Sequence, residues 1–150
     1  MHLKWDRPLE DISYDPLLVT ISDGLRETDH PYVVIVQKGF WEMCAAEGAR
    51  EKVIPLLRKI VANLRMALQS PNAVIFENGL NAIDSLTLCV GDAIEPHLSL
   101  ILVQISKKSF DKKYANRITE VLQSIDRNCD NDEVTKLIKS KVPTYQSVRY

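Results

Sequence analysis

Apolar residues recur at helical spacing along most of this chain, and the clearest stripe lies near its middle. Val53, Leu57, Ile60, Val61, Leu64 and Leu68 fall on one face of a helix expected from about Glu51 to Gln69, with Arg58, Lys59 and Arg65 off it. Pro55 fits that helix only in its first turn, because an interior proline costs about 3 kcal/mol. Before it, Asp15-Pro16 reads as an N-cap and first-turn proline for a helix carrying Leu17, Leu18, Ile21 and Leu25. A second helix is expected from His30-Pro31 to about Glu47, with Val33, Val34, Val36, Phe40, Trp41 and Cys44 on a wide apolar face and Gly48 as its stop. After it come helices from Asn72 to about Cys89 (Leu80, Ile83, Leu86, Val90) and from about Ala93 to Lys107, with Pro96 in the first turn of the latter. Residues 107–113 break the rhythm. A sixth helix follows from about Asn116 to Arg127, and a short seventh, capped by Asp130 or Asp132, carries Val134, Leu137 and Ile138 and ends at Pro143.

Two of these units repeat. His30-Pro31-Tyr32-Val33-Val34-Ile35-Val36-Gln37-Lys38-Gly39 aligns with Ser70-Pro71-Asn72-Ala73-Val74-Ile75-Phe76-Glu77-Asn78-Gly79 at a shift of 40, matching Pro, Val, Ile and Gly. Ile54-Pro55-Leu56-Leu57 then aligns with Glu95-Pro96-His97-Leu98 at a shift of 41. A two-helix period of about 40 residues is that of HEAT and armadillo repeats. The expectation is therefore an all-α, armadillo/HEAT-like α-solenoid of about seven helices in a single domain. Its parts are an extended lead-in over 1–14 anchored by Trp5, a helical repeat domain over 15–142, and a tail over 143–150 packed on that domain. Such a scaffold binds partners.

Composition changes the picture little. At 150 residues the chain can bury roughly 70% of its unfolded surface without staples. Cys44, Cys89 and Cys129 form no C-x-x-C pair and read as core or groove positions of successive units, in a reducing compartment. There is no run of 18 consecutive apolar residues and no signal-peptide pattern at Met1-His2-Leu3-Lys4-Trp5-Asp6, so the expected setting is inside the cell with no membrane contact. Net charge is −1, but residues 1–106 carry 9 Lys/Arg against 14 Asp/Glu while residues 107–150 carry 10 against 6. The C-terminal part is thus the basic end.

The usual catalytic and cofactor motifs are missing. No phosphate loop, dinucleotide glycine motif, zinc-protease motif or nucleophile elbow is present, and His2, His30 and His97 are scattered without metal-ligand spacing. Asp130-Asn131-Asp132-Glu133 lacks the central glycine and distal glutamate of a calcium loop and reads as capping. Asp84, polar in an apolar helix, could line a pocket or simply be exposed. No catalytic residue, cofactor or metal is expected. What remains is a partner surface: Lys107, Lys108, Lys112, Lys113 and Arg117 bracket Phe110 and Tyr114. Either the two rings are buried and the lysines solvate a turn, or the segment is a mixed basic and aromatic contact site. Single-stranded RNA could use the same features, but one cluster on a near-neutral chain makes nucleic acid unlikely as the partner.

The residues Gly24-Leu25-Arg26-Glu27, His30-Pro31-Tyr32, Ile54-Pro55-Leu56-Leu57 and Ile138-Lys139-Ser140-Lys141-Val142-Pro143-Thr144-Tyr145-Gln146-Ser147 carry a resemblance. Over almost its whole length the sequence resembles the parkin co-regulated gene protein (PACRG) family. It looks closest to the PACRG-like branch, with its Leu3-Lys4-Trp5-Asp6 opening, Asp15-Pro16-Leu17-Leu18 helix start and Pro-Thr-Tyr ending. The resemblance implies an armadillo-like fold and a non-enzymatic role on tubulin or microtubules, as in the inner junction of ciliary doublets. It implies tubulin or an axonemal protein as partner, in the cytoplasm on the cytoskeleton, with the cilium or flagellum as a narrower setting. The chain as given opens on the Trp5 lead-in, without the long N-terminal extension by which the founding member reaches across tubulin. The alternative is a groove that binds a helix or peptide of a non-tubulin protein.

Overall fold

Each apolar stripe becomes a helix in the computed structural model, which describes residues 3–149. Eight α-helices and four short 3-10 turns are present among the described residues, with no strand: α1 Leu17–Asp23, α2 Tyr32–Ala45, α3 Ala49–Val53, α4 Leu57–Gln69, α5 Ala73–Val90, α6 Glu95–Ser106, α7 Ala115–Cys129 and α8 Asp132–Lys141. The chain is all-α. The eighth helix arises where one was expected from Glu51 to Gln69, because Pro55 opens a 3-10 turn over Ile54–Leu56 that separates α3 from α4. A proline ring clashes with the carbonyl four residues back and offers no N–H, so the α-ladder stops there and restarts at Leu57. Pro96 does sit in the first turn of α6, but a second 3-10 turn, Gly91–Ile94, delays that start to Glu95.

The caps follow local chemistry, with two departures. Asn72 caps α5 by accepting hydrogen bonds from the amides of Val74 and Ile75 at 2.9 and 3.2 Å. Asn131, rather than Asp130 or Asp132, caps α8, its side chain accepting from the Glu133 amide at 2.9 Å. Asp130 instead takes the left-handed conformation that ends α7, with φ 47°. Asp15 makes no cap bond; Pro16 and Pro31 stand at the N-cap positions of α1 and α2, after cis Asp15-Pro16 and His30-Pro31 peptides. Gly91 closes α5 at φ 57° and ψ −137°, a conformation open essentially to glycine.

The helices pack in two rows. α2, α5 and α7 are successive neighbours in one, α1, α4, α6 and α8 in the other, and the pairs α1/α2, α4/α5 and α7/α8 join them. The core lies between the rows. It holds Leu18, Phe40, Met43, Ile60, Leu64, Leu68, Phe76, Leu80, Ile83, Leu86, Ile94 and Leu98, all fully buried. Gly79 is where α5 approaches α4 closely: a Cβ there would meet Leu68 Cδ2 at 3.1 Å and the Ala67 Cβ at 3.3 Å.

Leu57 and Leu98, equivalent in the repeat, are both buried in the second row. Leu57→Ala and Leu98→Ala should each lower unfolding free energy by about 2 to 5 kcal/mol in urea titrations, as is usual for truncating a buried leucine. Residues 73–106 are apolar enough by composition to pass as a membrane span. Packing takes up part of that hydrophobicity, while Val74, Leu88 and Leu100 stay exposed. The chain turns at Gly91, and Phe76, Leu80, Ile83 and Leu86 are sealed among neighbouring helices.

The two ends lie on this body. Trp5 is half-buried against the core as expected of an anchor, the Leu3 amide donates to the Glu42 carboxylate at 3.2 Å, and Tyr14 donates its hydroxyl hydrogen to the Met43 carbonyl at 2.6 Å. At the other end Tyr145 is buried, and its hydroxyl donates to Asp126 Oδ2 at 2.7 Å. That contact sets how the tail lies.

Candidate partner-binding surface

The connection between α6 and α7 carries most of the residues singled out in the sequence, and the fold divides them into two groups. Lys107, Phe110, Lys112 and Lys113 are exposed; Phe110 is 87% exposed, the most open large hydrophobic residue among those described. Lys108, Tyr114 and Arg117 turn inward. Lys108 Nζ donates to the Ser70 carbonyl at 2.8 Å and stands 4.1 Å above the centre of the Phe76 ring. Tyr114 is buried with its ring centroid 4.7 Å from that of Phe76, tilted by 59°. A cation over an aromatic ring in a partly dry site contributes roughly 1 to 2 kcal/mol. Burial also pushes the Lys108 ammonium below its ordinary pKa, with Asp111 opposing the shift. Lys108 therefore fastens the connection to α5.

Arg117 is engaged differently. Its guanidinium donates to Asn81 Oδ1 at 2.6 Å and to Asp84 Oδ2 at 2.7 Å, tying α7 to α5, and lies 3.5 Å from Glu120. The surface left for a partner is accordingly Lys107, Lys112 and Lys113 around an exposed phenylalanine, with Asp111 spent on the Lys113 amide at 2.9 Å. An aromatic ring standing open among unburied cations costs solvation of apolar area and contributes nothing to the fold. Phe110 is therefore the candidate contact residue of this surface.

A family model described as Parkin co-regulated protein matches residues 1–147. The chain belongs to that family.

This family member also has a second recessed surface. Between α2 and α5 lie two neighbouring cavities of about 340 and 300 Å³ that share Trp41 and Ser85. The first is lined by Cys44, Arg50, Leu88 and Cys89, the second by Gln37, Phe40, Asn78 and Asp84. Asp84 thus lines a pocket, half-buried rather than exposed. Trp41, placed with Phe40 on the apolar face of α2, is 49% exposed whereas Phe40 is 1% exposed, because adjacent helical positions point about 100° apart. Gln37 Nε2 donates to Asn78 Oδ1 at 2.6 Å, leaving the buried Asn78 Nδ2 without an acceptor. The signal for this groove was the excess of apolar residues on α2, wider than one packing face needs.

Proposed function

We propose that this chain is a non-enzymatic adaptor of the microtubule cytoskeleton, built as an armadillo-like solenoid, whose α6–α7 connection contacts acidic tubulin surface. The observation that carries the reading is Phe110, exposed among Lys107, Lys112 and Lys113 on a connection pinned from beneath by Lys108. The 40-residue repeat and the two rows of helices support the solenoid. Family membership, with the tubulin role that the resemblance implies, supports the partner. The setting is the cytoplasm, on the cytoskeleton, with cilia or flagella as the narrower location.

Reversing Lys107, Lys112 and Lys113 to Glu together should abolish co-sedimentation with microtubules. Lys108 is left intact because it holds the fold. Stability should change by less than about 0.5 kcal/mol per exposed site, so circular dichroism and melting temperature stay those of the wild type. Wild-type binding should weaken as salt rises, since exposed charges are screened over about 8 Å at physiological ionic strength. A reversed protein that pellets like the wild type would remove the connection as the site.

The second reading, a groove for a peptide or helix of a non-tubulin protein, is favoured by exposed Trp41 and the unpaired Asn78 Nδ2 between α2 and α5. It takes over if the wild type fails to pellet even at low salt.

A further inference from the structure

We infer that Cys89 is a peroxide-sensitive modification site and that Cys44 resolves it, giving a reversible disulfide that staples α2 to α5. Cys44 lies near the end of α2 and Cys89 near the end of α5, helices that pack on each other, and both side chains line the 340 Å³ cavity. The two side chains share one wall of that cavity, and each is the leading influence on the other's ionisation. Both are free cysteines. Cys89 is the half-exposed member, open to small molecules through the cavity mouth, while Cys44 is buried behind it.

The surroundings assign the order of events. The neighbouring Cys44 side chain lowers the Cys89 thiol below its ordinary pKa; burial opposes, Arg50 on the same cavity wall assists, and Glu51 opposes. Cys44 is held well up, first by the neighbouring Cys89 side chain and then by burial. Cys89 is also the thiol that solvent and small molecules reach, whereas Cys44 is buried, and the thiolate is the nucleophile, so Cys89 reacts first. Its sulfur attacks one oxygen of hydrogen peroxide, the S–O bond forms as O–O breaks, and the departing hydroxide takes a proton to become water. The sulfur is now sulfenic acid, oxidised by two electrons at the expense of the peroxide. Cys44 sulfur then attacks Cys89 sulfur, the S–S bond forms, and the hydroxyl leaves with the Cys44 proton as a second water. A cellular thiol reverses the bond by exchange. Cys129 serves as an internal reference: it is buried, its thiol is bonded to the Gly91 carbonyl at 3.6 Å, and burial pushes it up to about 12.

The test treats the reduced, full-length protein with hydrogen peroxide and maps tryptic peptides by mass spectrometry without reduction. Cys44 falls in the peptide spanning 39–50 and Cys89 in that spanning 66–107, so a linked pair is unambiguous. The expected product is that linked pair within one chain, with Cys129 still reduced. Cys44→Ser should instead accumulate a dimedone-reactive sulfenic acid on Cys89, and Cys89→Ser should leave Cys44 reduced. On the native wild type, which avoids any folding defect of a variant, iodoacetamide should label Cys89 at least about tenfold faster than Cys44 or Cys129. Cys89 remaining reduced, a disulfide formed only between two chains, or labelling of all three cysteines at one rate would each overturn the assignment.

Discussion

Replacing Asp126 with alanine should destabilise the protein by about 3 to 5 kcal/mol, the usual consequence of breaking a buried, fully bonded charge. Asp126 is completely buried on α7 and gathers the end of the chain. Its Oδ1 accepts from the Thr135 hydroxyl at 2.5 Å, and its Oδ2 accepts from Tyr145 at 2.7 Å and Ser147 at 2.6 Å. Arg149 closes the ring, donating to Thr135 Oγ1 at 2.8 Å and pairing with Asp130 and Asp132 at 3.2 and 3.1 Å. Losing the carboxylate leaves the buried Tyr145 and Thr135 hydroxyls without their acceptor. Tyr145→Phe removes one donor only and should cost about 1 kcal/mol, which separates the hub from a single bond. For a chain of this size the alanine variant should melt on the order of 10 °C lower.

The same group makes a pH prediction. Burial alone would raise the Asp126 carboxyl, but the hydrogen bonds from Ser147, Thr135 and Tyr145 together with the charge of Arg149 outweigh it and hold it below its ordinary value of 3.8. A group whose pKa is lower folded than unfolded contributes fully above the unfolded value and loses that contribution as pH falls through the folded one. The wild type should thus lose stability on acidification below about pH 4, and Asp126→Asn should lose less over the same interval. Equal slopes for the two proteins would place the acid sensitivity elsewhere.

Nothing local marks Asp126 in the sequence. It reads as one polar position on an amphipathic helix, and its partners lie 9, 19 and 21 residues further on, brought back by a tail whose path no periodicity encodes. Tyr145 itself was legible, because Pro143 forces the chain off the helix axis and an aromatic ring so placed gains by packing. The helices were legible for the same kind of reason: a stripe such as Leu57, Ile60, Val61, Leu64 and Leu68 has one low-energy solution. The break at Pro55 was not, since a proline in a first turn and a proline after a short preceding helix give the same local pattern. The basic cluster shows the boundary most clearly. Lys107 and Lys108 are chemically identical neighbours, yet only Lys108 meets the Ser70 carbonyl and the Phe76 ring, contacts made across 38 and 32 positions of chain.

Phe76→Ala should cost about 3 to 5 kcal/mol, whereas Phe110→Ala should leave stability unchanged within about 0.5. Both residues are phenylalanines in or beneath one surface; their burial decides the outcome. Phe76 is wholly buried near the start of α5, where its ring meets Tyr114 face to tilted edge and lies under Lys108. Its removal opens a cavity, ends an aromatic contact of about 1 kcal/mol, and leaves the Lys108 ammonium in a partly desolvated place with one acceptor. Because that lysine fastens the 107–113 connection, hydrogen exchange should quicken at the amides of Lys108, Ser109 and Asp111, which now donate to Ile105, Ser106 and Lys108 carbonyls. Phe110→Ala should leave those amides protected and, on the proposed function, lower only the co-sedimentation with microtubules. A Phe76→Ala protein with unaltered exchange in the connection would show that Lys108 and Tyr114 hold it without the ring, and that the basic surface is set by α6 and α7 alone.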